Sequence, residues 1–177
     1  MGARCSWKDA DAVSAMRDFL REPPPRRAAI RDLMAELLSS DSFTRRCAAD
    51  LARRVSAREP GILCKYADVL IELIAEIAAD QWQARGYVLL TAALNASMHE
   101  QRIRLASLLP ILMESERIAM RAMSLEAFAI LAAAEPKLRK EALLLIERAR
   151  GDESYAMRIR ARRTLLPLLA SESKPLR

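Results

Sequence analysis

Few residues in this chain are placed to do covalent or metal chemistry. Its one histidine, His99, stands beside Glu100, a pair able to ligate a metal or move a proton. One such pair leaves a metal shell incomplete, because zinc takes three or four protein ligands. The two residues therefore read as a polar turn between helices. Three cysteines, Cys5, Cys47 and Cys64, are odd in number and widely spaced, with no CxxC. Neither a disulfide framework nor a thiolate metal site follows. Cys47 and Cys64 fall on or beside apolar stripes and read as small core residues rather than nucleophiles. Four scattered glycines cannot build a phosphate cradle, and no GxSxG or HExxH pattern occurs. The expectation is a chain that is not an enzyme and uses no cofactor.

The remaining chemistry is that of cations. Net charge is +6 and the isoelectric point is near 9.6, which raises nucleic-acid binding as an alternative function. Arg46, Arg53, Arg54, Arg160, Arg162 and Arg163 are the residues to carry it. Aromatic residues that would stack on bases are scarce, with Trp7, Trp82 and Tyr155 the only candidates for exposed aromatics near basic residues.

The elements that must position these groups are helices. Apolar residues are 52% of the chain but aromatics only 5%, so the core must be Ala, Leu, Ile, Val and Met. That palette favours helix. Strand runs and hairpin dipeptides are missing, which predicts an all-α chain. Apolar runs are broken by Glu, Arg or Pro before the roughly 20 residues a membrane span needs. With no secretory leader in view, a soluble cytoplasmic protein is expected.

A repeat sets the organisation. Thr44-Arg45, Ala84-Arg85, Met120-Arg121 and Met157-Arg158 recur at intervals of 40, 36 and 37 residues, and Ala48, Val88, Ser124 and Ala161 follow three residues after the arginines. Asp41, Asp80 and Asp152 precede three of them where an N-cap is wanted, and Glu116 is nearest in the other. Second stretches cover Pro60 to Ile77, Met98 to Glu114 and Pro136 to Ala149. Their buried stripes are Val69, Leu70, Leu73 and Ile77; then Leu105, Leu108, Leu109 and Leu112; then Leu138, Ala142, Leu145 and Ile146. Upstream, Lys8 to Glu22 and Pro25 to Ser39 predict another pair, and Asp152 to Ser171 a lone last member. Nine helices result, in one domain over 8–171 with disordered ends at 1–7 and 172–177.

Over about residues 41 to 170 the pattern of Asp, then a residue plus Arg, then small residues resembles the first helix of HEAT repeats. The resemblance implies a right-handed α-solenoid of about four and a half antiparallel helix pairs. It also implies a ladder of Asp41, Arg45, Asp80, Arg85, Asp152 and Arg158 that fixes the pitch between pairs. The chain departs from the family at Thr44, where Val is usual, and at Pro110 and Pro167, which should kink their helices. HEAT-type metal hydroxylases carry several His-Glu pairs, against one here. HEAT-like DNA glycosylases grip DNA along a basic concave face.

Helical wheels place Asp68, Glu72, Ser107, Glu114, Lys140 and Glu147 opposite the core stripes of the second helices, with Ile71, Ile103 and Leu144 towards the same face. That surface is mixed rather than basic. Solenoids present such surfaces to proteins, so the leading expectation is a protein-interaction scaffold that holds a protein or peptide partner along this face. The last helix ends in Leu165-Leu166-Pro167-Leu168-Leu169, apolar on more than one side, which predicts packing on another chain, a partner or a second copy. At the other end, Gly2 with Ser6 and Cys5 meets a short acylation pattern; a frayed terminus is the plainer reading.

Overall fold

A computed structural model describes residues 26–170. They form eight α-helices and no strand. These are α1 (Arg26–Leu37), α2 (Ser42–Arg58), α3 (Ala67–Glu76), α4 (Trp82–Asn95), α5 (His99–Met113), α6 (Ile118–Ala134), α7 (Arg139–Arg150) and α8 (Tyr155–Ala170). Short 3₁₀ turns at Cys64–Tyr66, Ala79–Gln81 and Pro136–Leu138 lead into α3, α4 and α7. The expected helix from Lys8 to Glu22, the acylation pattern and the two disordered ends lie outside the described residues.

Packing follows the repeat. α2 packs on α4, α4 on α6 and α6 on α8, so the even-numbered helices form one row. α3 lies against α4, α5 against α6, and α7 against both α6 and α8, while α1 covers α2. The four repeat arginines, Arg45, Arg85, Arg121 and Arg158, are each the fourth residue of α2, α4, α6 and α8. Ala48, Val88, Ser124 and Ala161, three residues on, are all buried. Small residues at these positions let the helix axes approach.

The row is tightest between α4 and α6. A Cβ on Gly86 would lie 2.2 Å from Met123 Cε, so any larger residue here requires that side chain to move. α6 is in contact with four other helices, which explains its composition of Ala, Leu, Met and Phe on several faces. A helix with neighbours all round has little polar face to spare. Its buried Ser124 hydroxyl turns inward and donates to the Met120 carbonyl at 2.9 Å.

Helix boundaries depart from expectation where glycine and polar side chains intervene. Asp41 is a true N-cap, its carboxylate accepting from the Thr44 N–H at 2.7 Å, and that bond holds its pKa below the ordinary value. Asp80 sits inside a 3₁₀ turn, and Asp152 accepts from the Ser154 N–H at 2.7 Å instead of capping α8 from the adjoining position. α3 begins at Ala67 rather than Pro60, because Gly61 takes a left-handed φ of 87°, a conformation open mainly to glycine. Gly61 N–H donates to the Leu94 carbonyl, and Leu63 N–H to Asn95 Oδ1 at 2.7 Å. Asn95 Nδ2 also donates to Ser56 Oγ at 2.8 Å and to the Thr91 carbonyl at 2.7 Å. This buried network fastens the ends of α2 and α4 to the approach of α3, leaving no room for an earlier helix start.

The expected aspartate–arginine ladder is replaced by another device. Side chains in the first turn of a helix lean back over the preceding segment. Arg45, Arg121 and Arg158 each reach the carbonyl six residues earlier, at Ser39, Ser115 and Asp152. Arg85 reaches back to the Ile74 carbonyl near the end of α3 at 2.8 Å. Carbonyls at helix ends lack helical donors, and a guanidinium supplies several N–H groups at once. Of the four repeat arginines, Arg45 also makes a rung to the next repeat, to Gln81 Oε1 at 2.8 Å.

Candidate functional site

The second members α3, α5 and α7 offer the face that the sequence assigned to partners. Between α3 and α5 a polar clasp closes that face. Arg104 Nη1 is 2.9 Å from Asp68 Oδ1 and its Nη2 is 3.8 Å from Glu72, while Gln101 donates to Asp68 Oδ2 at 2.9 Å. Both acids are therefore engaged by one arginine across the helix pair, Asp68 closely and Glu72 at longer range. Arg104 was not singled out in the sequence, and the signal was its i+36 spacing from Asp68. Ile71 does not belong to this surface: it is 4% exposed, in the core, whereas Val69, expected in the core, is 37% exposed. The buried stripe of α3 is Ala67, Leu70, Ile71, Leu73 and Ile74; Leu70, Leu73 and the following Ile77 are buried as expected, and Ile71 takes the place of Val69.

Between α5 and α7 no such clasp forms, and a groove of about 630 Å³ opens. One wall is α5, with Ile103, Ala106, Ser107, Leu109, Pro110, Met113 and the adjoining Glu114; the other is the α7 side, with Leu138, Glu141, Leu145 and Arg148; Phe128 of α6 contributes beneath. Ile103, Ala106, Pro110 and Met113 repeat at i, i+3, i+7 and i+10, and so do Leu138, Glu141, Leu145 and Arg148. That spacing is one helical face, so equivalent faces of two successive repeats form the walls. Of the expected binding residues, the groove gathers Ile103, Ser107 and Glu114. Lys140 and Leu144 are exposed on α7 but lie outside its lining, and Asp68 and Glu72 belong to the clasp.

Two features make the groove chemically distinct. Helix α5 continues through Pro110 to Met113, and the missing proline N–H deprives the Ala106 carbonyl of its helical donor. Second, Glu114, Glu141 and Arg148 make no ion pair among the described residues, although the carboxylates of Asp50, Asp68, Glu126, Glu135 and Glu147 are each paired.

At the start of α5, His99 joins a small charged cluster instead of a free polar turn. Its Nδ1 lies 2.7 Å from Glu135 Oε2, and Arg102 Nε lies 3.5 Å from the same oxygen. Glu135 is buried. The hydrogen bond from His99, assisted by the charges of His99 and Arg102, holds its carboxyl below the usual glutamate value against the opposing effect of burial. Arg102 also donates to the Ser97 carbonyl at 2.7 Å. The cluster ties the entry of α5 to the turn between α6 and α7, three residues before Leu138 in the groove wall. No group of three His, Cys, Asp or Glu among the described residues is arranged to hold a metal.

The arginines expected to serve nucleic acid are divided and largely engaged. On α2, Arg53 and Arg54 both grip Asp50, at 2.8 and 2.7 Å. Arg53 lies over the Tyr87 ring and Arg46 over Phe43, each 5.2 Å from the centroid. Arg46 donates to Gln83 Oε1 at 3.1 Å. On α8, Arg160 pairs with Glu126, and Arg162 and Arg163 are exposed. The two groups sit on the first and last members of the row α2, α4, α6 and α8. Of the stacking residues, Trp82 packs against the core and Tyr155 is 70% exposed beside Arg158.

At the carboxyl end, α8 uses part of its apolar run internally. Leu168 is buried against the preceding helices, while Leu166 and Leu169 stay exposed. Cys47 and Cys64 are half-buried and not disulfide-bonded. No described helix is long and apolar enough to cross a membrane. Comparison with protein-family models, with curated proteins and with solved structures found no match to the chain.

Proposed function

We propose that the chain is a short HEAT-like right-handed α-solenoid that works as a non-catalytic scaffold, binding a protein partner on the face of its second helices. The observation that carries the reading is the α5–α7 groove, whose walls come from equivalent positions of two repeats. Stacked helix pairs bury their faces against neighbours and leave extended surfaces that recognise proteins. The row α2, α4, α6 and α8 with α3, α5 and α7 alongside supports the solenoid reading, as does the constant place of the repeat arginines. An apolar recess with a polar rim is the form that an interaction site takes on a soluble surface.

The second reading, electrostatic binding of nucleic acid, draws on the exposed Arg162 and Arg163 beside Arg160. It predicts an affinity that falls steeply with salt as counterions are released. One experiment separates the two. Immobilised protein is exposed to lysate with and without nuclease and eluted along a salt gradient. The scaffold reading expects a stoichiometric, nuclease-resistant protein that is lost when Ser107→Trp fills the groove. Recovery of nucleic acid alone, abolished by reversing Arg160, Arg162 and Arg163 to Glu, would replace it.

A further inference from the structure

We infer that the α5–α7 groove receives one amphipathic helix of a partner protein, with an apolar stripe flanked by lysine or arginine. The inference rests on the scaffold reading and adds its site and the chemistry of its occupant. From Ile103 to Glu114 the α5 wall rises about 16 Å, or three helical turns. A helix laid along it presents anchors at i, i+3 or i+4, and i+7. Ile103, Ala106, Pro110, Met113, Leu138 and Leu145 supply the apolar surface that such anchors bury, over a floor of buried Leu109 and Phe128.

Charge selects among amphipathic helices. The protein as a whole carries +6, yet the groove presents two carboxylates, Glu114 and Glu141, against one cation, Arg148. None of the three is paired within the described residues, in contrast to the clasp of Asp68 and Glu72 by Arg104 one repeat earlier. Acceptors in excess call for donors from the occupant. Lysine and arginine fit because their aliphatic stems lie along apolar walls while their heads reach carboxylates at the rim. An acidic flank would meet Glu114 and Glu141 with like charge.

The test is a displayed library of helical peptides, random at stripe and flank positions, selected on the full chain and counter-selected on Ser107→Trp. Enriched peptides should carry an apolar i, i+3/i+4, i+7 stripe with lysine or arginine beside it. Their affinity, read by fluorescence anisotropy, should fall at least about tenfold on Ser107→Trp or on Ile103→Arg. It should fall roughly five- to tenfold on Glu141→Lys, as expected for reversing a rim charge. Exchanging the peptide's cations for glutamate should restore binding to Glu141→Lys. Unchanged thermal melting confirms that each variant is folded, and either groove substitution suffices if the other misfolds. Enrichment of acid-flanked peptides, indifference to Glu141→Lys, or no enrichment over the blocked chain would overturn the inference. A stoichiometric protein partner that survives Ser107→Trp would refute this groove while leaving the scaffold reading intact; recovery of nucleic acid alone would remove both.

Discussion

Replacing Gly86 by alanine sets two effects of comparable size against each other. In an exposed helix interior the change stabilises by about 0.8–1 kcal/mol, since glycine loses more backbone freedom on folding. In α4 the new Cβ would stand 2.2 Å from Met123 Cε and 2.7 Å from its sulfur. Carbon atoms rest about 3.5 Å apart or more, so roughly 1.3 Å of overlap must be relieved. Met123 is buried, 6% exposed, and its thioether must re-pack among α4 and α6 residues. Overpacking of this kind costs about 1–3 kcal/mol, with methionine's flexibility favouring the lower half. The net expectation for Gly86→Ala is a loss of about 0–2 kcal/mol. Shortening the obstructing side chain reverses the sign: in a Met123→Ala background, itself about 2–5 kcal/mol less stable, Gly86→Ala should stabilise by about 1 kcal/mol. Urea unfolding followed by circular dichroism on the four proteins of the cycle gives a coupling of about 1–3 kcal/mol. Equal effects of Gly86→Ala in both backgrounds would refute the argument that this glycine spaces α4 from α6.

Asn95→Ala should cost about 2–3 kcal/mol in the same assay, because the Leu63 N–H and the Ser56 hydroxyl lose a buried partner together; a change under about 0.5 kcal/mol would show that the network is dispensable. Arg158→Ala removes donors to the Asp152 and Glu153 carbonyls and should cost about 1–2 kcal/mol, and Arg158→Lys should recover only part of it, as thermal melting will show. Glu135 has a folded pKa below its unfolded value near 4.5. Its contribution to stability is therefore complete above that value and is lost as pH falls through the lower folded pKa. Melting temperature measured from about pH 5 downward should fall more steeply in the wild type than in Glu135→Gln, and parallel curves would count against it.

Much of the helical plan can be read from residue spacing, because it is set locally. The four arginines, the small residues three places on and the Asp41 cap mark the starts of α2, α4, α6 and α8 by rules that act within one turn. α3 shows where local rules stop. Its apolar residues include Val69, Leu70, Ile71, Leu73, Ile74 and Ile77, and composition alone does not say which side faces in. The Gly61 turn and Asn95, 32 residues beyond Leu63, delay the helix to Ala67, and packing against α4 and α5 buries Ile71 while Val69 stays exposed. The groove was half legible for the same reason. Ile103, Ser107 and Glu114 follow from the wheel of one helix. Glu141 and Arg148 acquire meaning only once α7 is laid beside α5, and the shared i, i+3, i+7, i+10 spacing of the two walls was the available clue. The aspartate–arginine ladder was misread because a carbonyl leaves no mark in a sequence, so its role as the arginines' acceptor is visible only in three dimensions.

The arginines that reach back six residues also act as rulers. Three connections spanned by this contact, 38–41, 114–117 and 151–154, are each four residues long. In the fourth, 77–81, the connection is five residues long and Arg85 takes a carbonyl in α3 instead. At the other end of the helices Arg102 and Arg139 also reach carbonyls six residues back, at Ala96 and Ala133, across connections of three and four residues, whereas the eight-residue connection 59–66 is held by Asn95 instead. Tolerance of grafted sequence should therefore follow the arginine contacts, connection by connection. A reporter loop inserted in 59–66 leaves every arginine contact intact provided it spares the Gly61 and Leu63 hydrogen bonds, whereas one residue added between Ser115 and Ile118 carries Ser115 out of the reach of Arg121.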